Sequence, residues 1–322
     1  MLSMSVLRVN IVLVFLFLWS VNQRNGKNAN SGELLEMGYR GITTCESYFI
    51  AVGTGGRVDM ISISGEVTNL TSGSNENLND VICMDGKIIV VGDEGTILIS
   101  EDKKHFIEVD SGTEENINNL TILNDFVIAA VDNGFVLVSD VEVNEWKEIP
   151  LPVNGDIISV SSDKTRCYGV TNEGEIVSST DTKTWNVFNY NLQYEGFNKP
   201  CSFNSIYVSG NWITIVGQHE DNTPVSLFSP QGKVWTERSL NYMDEFGFPH
   251  IFTNIPNDIG YDPVEEQFFL VCNNGNVSVL SSCTKCNTAH SISDTNLSAV
   301  AYLNDFLMIV GEGFGIYPVK LR

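Results

Sequence analysis

The sequence predicts an all-β chain folded as a seven-bladed β-propeller with four-stranded blades. Three observations carry that prediction. A turn rich in glycine, asparagine and acids follows an apolar run seven times over. The copies are spaced roughly 39 to 55 residues apart, and no 3.6-residue helical pattern separates them. One twisted four-stranded sheet cannot bury both of its faces alone, whereas a closed ring of such sheets can.

The copies are Phe49–Gly56, Ile88–Gly95, Val127–Gly134, Cys167–Gly174, Trp212–Gly217, Phe268–Gly275 and Phe306–Gly311. The second sets the pattern for a blade. Val81–Met84 is the expected inner strand, Lys87–Val91 the second, Thr96–Ser100 the third and Phe106–Asp110 the outermost. Asp85-Gly86 and Asp93-Glu94-Gly95 supply residues that accept positive φ, which tight hairpin turns demand. The second strand is apolar nearly throughout, as a strand covered on both faces must be.

Counting twelve positions back from each turn residue reaches Gly41, Asp80, Asn119, Ser159, Ser205, Gly260 and Ala299. All are small or small and polar. Inner strands converging on a narrow channel require that, because bulky side chains would collide there. Toward the C-terminus, Gly315–Arg322 leaves the seventh blade one strand short. The stretch 32–39 belongs to no other blade and is expected to close the ring as the outer strand of the seventh. A ring without an open edge predicts a monomer.

Ahead of the propeller, 32–322, the chain is different in kind. Residues 1–22 hold a continuous apolar run, Ile11–Trp19, preceded by Arg8, and 23–31 are rich in Asn, Gly and Ser. The run suits a signal-peptide core; extended across 6–21 it becomes a short membrane anchor, and no Ala-x-Ala-like cleavage site decides between them. Either way the propeller is expected to be extracytoplasmic, secreted or membrane-anchored, behind a flexible leader.

With 43% hydrophobic and 18% charged residues the chain has the composition of a packed body. Its formal charge of −22 argues against nucleic acid and anionic membrane surfaces as partners. Seven cysteines cannot all pair within one chain. Cys83, Cys167 and Cys272 fall in apolar strand patterns and read as buried free thiols. Cys283 and Cys286 form the close pair, read as a local disulfide or as two free thiols. His290 stands near them, but no second pair at zinc spacing follows, so neither a metal nor another cofactor is expected. The sequons at Asn69, Asn119, Asn276 and Asn296 are what chance gives in so Asn-, Ser- and Thr-rich a chain.

A second pattern lies between third and fourth strands. It reads Ser100-Glu-Asp102-Lys-Lys-His-Phe106, Ser179-Thr-Asp181-Thr-Lys-Thr-Trp185 and Ser229-Pro-Gln-Gly-Lys-Val-Trp235, with a looser copy from Ser139-Asp140 to Trp146. It resembles the Asp-box, Ser-x-Asp-x-Gly-x-Thr-Trp, of the BNR/Asp-box propellers, with the glycine replaced and most copies one residue shorter. The carboxylate accepts turn amide hydrogens and the ring starts the outer strand, so the box reads as a folding device. Over 32–322 the chain looks like the photosystem II stability/assembly-factor-like branch of that sialidase-like superfamily. That resemblance implies an exported scaffold that binds other polypeptides without an active site.

The competing reading is a glycoside-active enzyme of sialidase-like type. The resemblance to sialidases would require an arginine cluster clamping a substrate carboxylate. Tyr39-Arg40-Gly41-Ile42 stands where those enzymes carry Phe-Arg-Ile-Pro, but lacks the proline, and Arg57, Arg166 and Arg238 sit at unrelated places in their blades. A binding module without catalysis is the favoured reading. Its expected face carries the two long connections, 188–204 and 236–258, together with Arg40. The candidate contact residues are Tyr194, Glu195 and Phe197 on the first loop, and Asp244, Glu245, Phe246, Phe248 and His250 on the second. Aromatics interleaved with acids on long loops suit a protein or a glycan. The alternative is that these aromatics only pack the loops onto the blades.

Overall fold

A computed structural model describes residues 37–163, 165–193, 199–210, 212–244, 246–280 and 287–322. The architecture is the expected seven-bladed propeller of antiparallel blades, six of them with four strands within the described residues. In the second blade the strands are Leu78–Met84, Lys87–Gly92, Ile97–Ser100 and Ile107–Glu108, so the inner strand starts three residues before its expected position. Among the described residues, helix is confined to short turns and Tyr190–Gln193. No helix of the described residues is long and apolar enough to cross a membrane.

The hydrophobic core is a ring of seven wedges, each between two adjacent blades. Ile89, Val91 and Ile97 of the second blade pack on Ile117, Val127 and Ala129 of the third. Their sequence neighbours Ile88, Val90 and Leu98 point the other way, onto Ile50, Val52 and Val58 of the first. Alternate residues of one strand therefore serve two wedges, which is why the second strands read as unbroken apolar runs.

Packing also closes the ring. Tyr39, Ile42, Phe49 and Ala51 of the first blade share a wedge with Ala299, Met308 and Val310 of the seventh. The seventh blade has three strands here: Leu297–Leu303, Phe306–Gly311 and Gly315–Lys320. Most of the stretch expected to complete it, 32–36, lies outside the described residues. The remainder corrects the expected bounds: Tyr39 already begins the first inner strand, Tyr39–Cys45. Met37 and Gly38 run against the seventh-blade hairpin instead. Gly313 N donates to Met37 O at 2.7 Å, and Gly38 bridges Glu312. Gly38 has room for nothing larger, since a Cβ there would lie 2.7 Å from Glu312 Cα.

Two further expectations are corrected. Cys83 is not a free thiol; it is disulfide-bonded to Cys45, with Cα atoms 5.3 Å apart. The partners sit at the ends of neighbouring inner strands, a contact that an apolar strand pattern does not disclose. Cys167 and Cys272 are buried free thiols as expected. In the sixth blade the channel-facing residue is Asp258, paired with Val271, in place of Gly260. Asp262 pairs with Gln267 across a hairpin two residues longer than in the second blade, where Met84 pairs with Lys87, so a count of twelve lands two positions late.

Candidate functional site

Each inner strand carries a bulge at the same height, and the bulge builds the channel. The register skips between Tyr39 and Gly41, Leu78 and Asp80, Ile157 and Ser159, Phe203 and Ser205, Pro256 and Asp258, and Leu297 and Ala299. In the third blade it skips at Val131, opposite Ile117. An extra residue at a bulge is freed from the ladder and re-aimed. Here four of the seven are asparagines that reach the next blade. Asn79 Nδ2 donates to Ile117 O at 3.0 Å, Asn118 to Ile157 O at 2.9 Å, Asn204 to Pro256 O at 2.9 Å and Asn257 to Leu297 O at 2.7 Å.

Arg40 is the bulge residue of the first blade. Its guanidinium donates to Asn79 Oδ1 at 2.6 Å and lies 3.5 Å from Asp93. It therefore takes part in the same blade-to-blade latch while standing at the rim of a cavity of about 260 Å³. That cavity is the central channel. Asp80, Asn119, Ser159, Ser205 and Asp258 line it below the latches.

The channel carboxylates are half-buried and raised above the ordinary range. Burial pushes Asp80 up to about 7, with the Asp258 charge adding to the effect, against the amides of Leu120 and Val81 that pull it down. Burial likewise pushes Asp258 up to about 6, against the amides of Ile259 and Val300 and the Ser205 hydroxyl. Among the described residues no group of three His, Cys, Asp or Glu stands at metal-binding distance.

The second long connection forms a feature of its own. Tyr242–Met243 and Pro249–His250 pair as a small antiparallel hairpin between the fifth and sixth blades. Its root is buried: Leu240, Tyr242 and Phe252 join the wedge of Val216, Ile259 and Phe268. Asn287, at the foot of the sixth blade's outer strand, donates to Ser239 O at 3.2 Å and Asn241 O at 3.4 Å. Asp244 fixes the tip. Its Oδ1 accepts the amides of Phe246 at 2.9 Å and Phe248 at 2.8 Å, and its Oδ2 lies 3.0 Å from His250 Nε2. His250 and then these amides hold the Asp244 carboxyl below its ordinary range. The His250 ring stacks on Tyr242.

At that tip Phe246 and Phe248 are 77 and 65% exposed, and Ile251, past the second strand on the root side, is 80% exposed. The rest of the chain leaves both phenylalanine rings largely uncovered. The structure thus brings Asp244, Phe246, Phe248 and His250 together, braced against an outer strand, while Arg40 belongs to the channel rim. Tyr194, Glu195, Phe197, Glu245, Cys283, Cys286 and the segments 1–22 and 23–31 lie outside the described residues. In the first long connection Tyr190 is buried against Phe203, with ring centroids 6.1 Å apart, and serves packing.

The Asp-box-like turns have the expected local geometry. Asp102 Oδ1 accepts the amides of Lys104 and His105 at 2.9 and 2.8 Å, and Asp181 Oδ1 those of Lys183 and Thr184 at 2.9 and 2.7 Å. The next residue in each, Lys103 or Thr182, has positive φ. Arg57, Arg166 and Arg322 do not gather with Arg40. Arg57 pairs with Asp59, Arg166 with Asp163, and Arg322 with Asp262 and Asp305, so none of these shares a partner with Arg40.

The asparagine latch was legible but unread. Asn follows a buried residue at Leu78, Ile117, Phe203 and Pro256, at the head of the inner strand. That recurring dipeptide position is the signal that would have found it.

No family model matches the chain, and no curated protein sequence matches it. Among solved structures, the crystal structure of the computationally designed Ika8 protein is similar, with a TM-score of 0.58 over 88% of this chain and 96% of that chain. At 9% sequence identity this likeness bears on the fold alone.

Proposed function

We propose that the chain is an extracytoplasmic propeller scaffold of BNR/Asp-box type that binds a protein partner through the hairpin between its fifth and sixth blades. The observation that carries the reading is the contrast within that hairpin. Leu240 and Phe252 are buried at the root, while Phe246 and Phe248 project at a tip held by Asp244. Rigidly presented aromatics on a stable frame are the usual anchors of protein interfaces.

The apolar tip favours a protein over a glycan, because it offers a saccharide few hydrogen-bonding side chains. With a formal charge of −22 on the chain, the fitting partner presents an apolar cleft rimmed by basic residues. The Asp102 and Asp181 turns support the BNR/Asp-box placement. The Cys45–Cys83 bridge supports export, since disulfides persist in oxidising compartments.

The test compares the full chain with a Phe246→Ser, Phe248→Ser double variant, each produced in a secretory host. Partner capture should be lost while the melting temperature is unchanged. A fall in melting temperature with capture retained would show that the aromatics serve packing. Turnover of a fluorogenic sialoside by the unaltered chain would overturn the non-catalytic part of the reading.

A further inference from the structure

The channel holds two half-buried carboxylates to which the proposed partner site assigns no work. Both are built into contacts between blades. Asp80 Oδ2, on the second blade, accepts Asn119 Nδ2 at 2.6 Å and Leu120 N at 2.8 Å, both from the third. Asp258, on the sixth blade, accepts Ser205 Oγ of the fifth at 3.0 Å and Val300 N of the seventh at 3.0 Å. A second relay joins third to fourth to fifth: Asn119 Oδ1 accepts Val160 N at 2.8 Å, and Ser159 Oγ accepts Ile206 N at 3.3 Å. Side chains at this one level therefore link the second to the fifth blade and the fifth to the seventh.

The charges that face this pair are few. The first blade supplies Arg40, engaged by Asn79 and Asp93 at the rim; Asp93 comes from the second-blade turn, and Asp132, which accepts from Asn118, from the third. The third, fourth, fifth and seventh inner strands line the cavity with Asn118, Asn119, Ile158, Ser159, Asn204, Ser205, Ser298 and Ala299, none of them ionisable. Two like charges thus share a confined space and bond to neutral donors only.

We propose that Asp80 and Asp258 form a proton-operated lock, which tightens the ring of inner strands when mild acid neutralises the pair and loosens it when the pair ionises. Neutral carboxyl groups keep a carbonyl oxygen for the amides of Leu120 and Val300 while losing their mutual repulsion and their desolvation cost. The sign follows from folded values of about 7 and about 6, raised above the ordinary carboxylate value of 3.8. The folded chain holds these protons more tightly than the unfolded chain. Stability from the pair is full below the unfolded value and is lost as pH rises through the range 6 to 7.

Two other contributions enter towards the acid end of the scan. Neutralising surface acids on a chain of formal charge −22 acts in the same direction. His290, lowered by burial on the outer strand of the sixth blade, acts in the opposite one. The experiment must therefore isolate the channel. Melting temperatures of the full chain and of an Asp80→Asn, Asp258→Asn double variant are measured from pH 8 to pH 5. The unaltered chain should melt several degrees higher at pH 5 than at pH 8; the variant, already neutral in the channel, should start higher at pH 8 and rise less. Parallel curves for the two proteins would overturn the lock. Should the variant not fold, infrared titration of the unaltered chain decides: a protonated-carboxyl band must grow as pH falls from 8 to 5.5, and a flat signal overturns the lock.

Discussion

Cys45 and Cys83 join the inner strands of the first and second blades through a disulfide, 38 residues apart in sequence and 5.3 Å apart at Cα. The bond lies across a wedge that is already filled by Ile50, Val81 and Ile88. Its effect is therefore to tie two neighbouring blades together covalently across a packed wedge. On the loop-entropy scale a bridge of this span contributes about 3–4 kcal/mol. Reduction, or a Cys45→Ser, Cys83→Ser double substitution, should lower the denaturation free energy by about that amount. A urea midpoint unmoved by reductant would count against the bridge as a stabilising element.

The bulge latches give a second prediction. Asn257 Nδ2 spans two blades through Leu297 O and also bonds Asn273 Oδ1 within its own blade. Asn257→Ala should cost about 1–2 kcal/mol, because it leaves a carbonyl at the blade junction short of a donor. Asn118→Ala, at a junction three blades away, should cost a similar amount, and the two losses should add. Denaturant titration of both singles and the double gives the result. Strong non-additivity would show that the ring responds as one strained unit.

The acidic turns predict the opposite pH response from the channel. Asp181, fully exposed, is held below the ordinary carboxylate range by the amides of Thr184 and Lys183. A depressed carboxyl contributes stability above its unfolded value and loses it as pH falls through its lower folded value. Asp181→Ala should therefore lower the melting temperature at neutral pH, with a deficit that shrinks below about pH 4. Circular-dichroism melting at several pH values checks this. A deficit independent of pH would assign the loss to turn sterics instead of charge.

How much was legible depends on whether the signal is local. The second strands announced themselves because burial on both faces makes Ile88–Val91 and Val127–Val131 continuously apolar. The hairpin turns announced themselves because positive φ selects residues such as Asp85, Asn133 and Asn274. The sixth-blade channel residue was misplaced because Pro263–Glu266 lengthens a hairpin without disturbing the apolar pattern that follows. The candidate site was half legible: the acids and aromatics of 242–250 could be picked out, but not their distance from Arg40.

By itself the sequence determined the repeat, the number of blades and the turn chemistry, because each is written within one hairpin and needs only local sterics and burial. Only the tertiary structure decided which side chains meet between blades. It paired Cys45 with Cys83, set Asp80 and Asp258 at one level of the channel, and exposed Phe246 and Phe248 on a hairpin whose root is buried. Such meetings join residues tens to hundreds of positions apart. Their geometry is fixed by the rotation from one blade to the next, which no local pattern encodes.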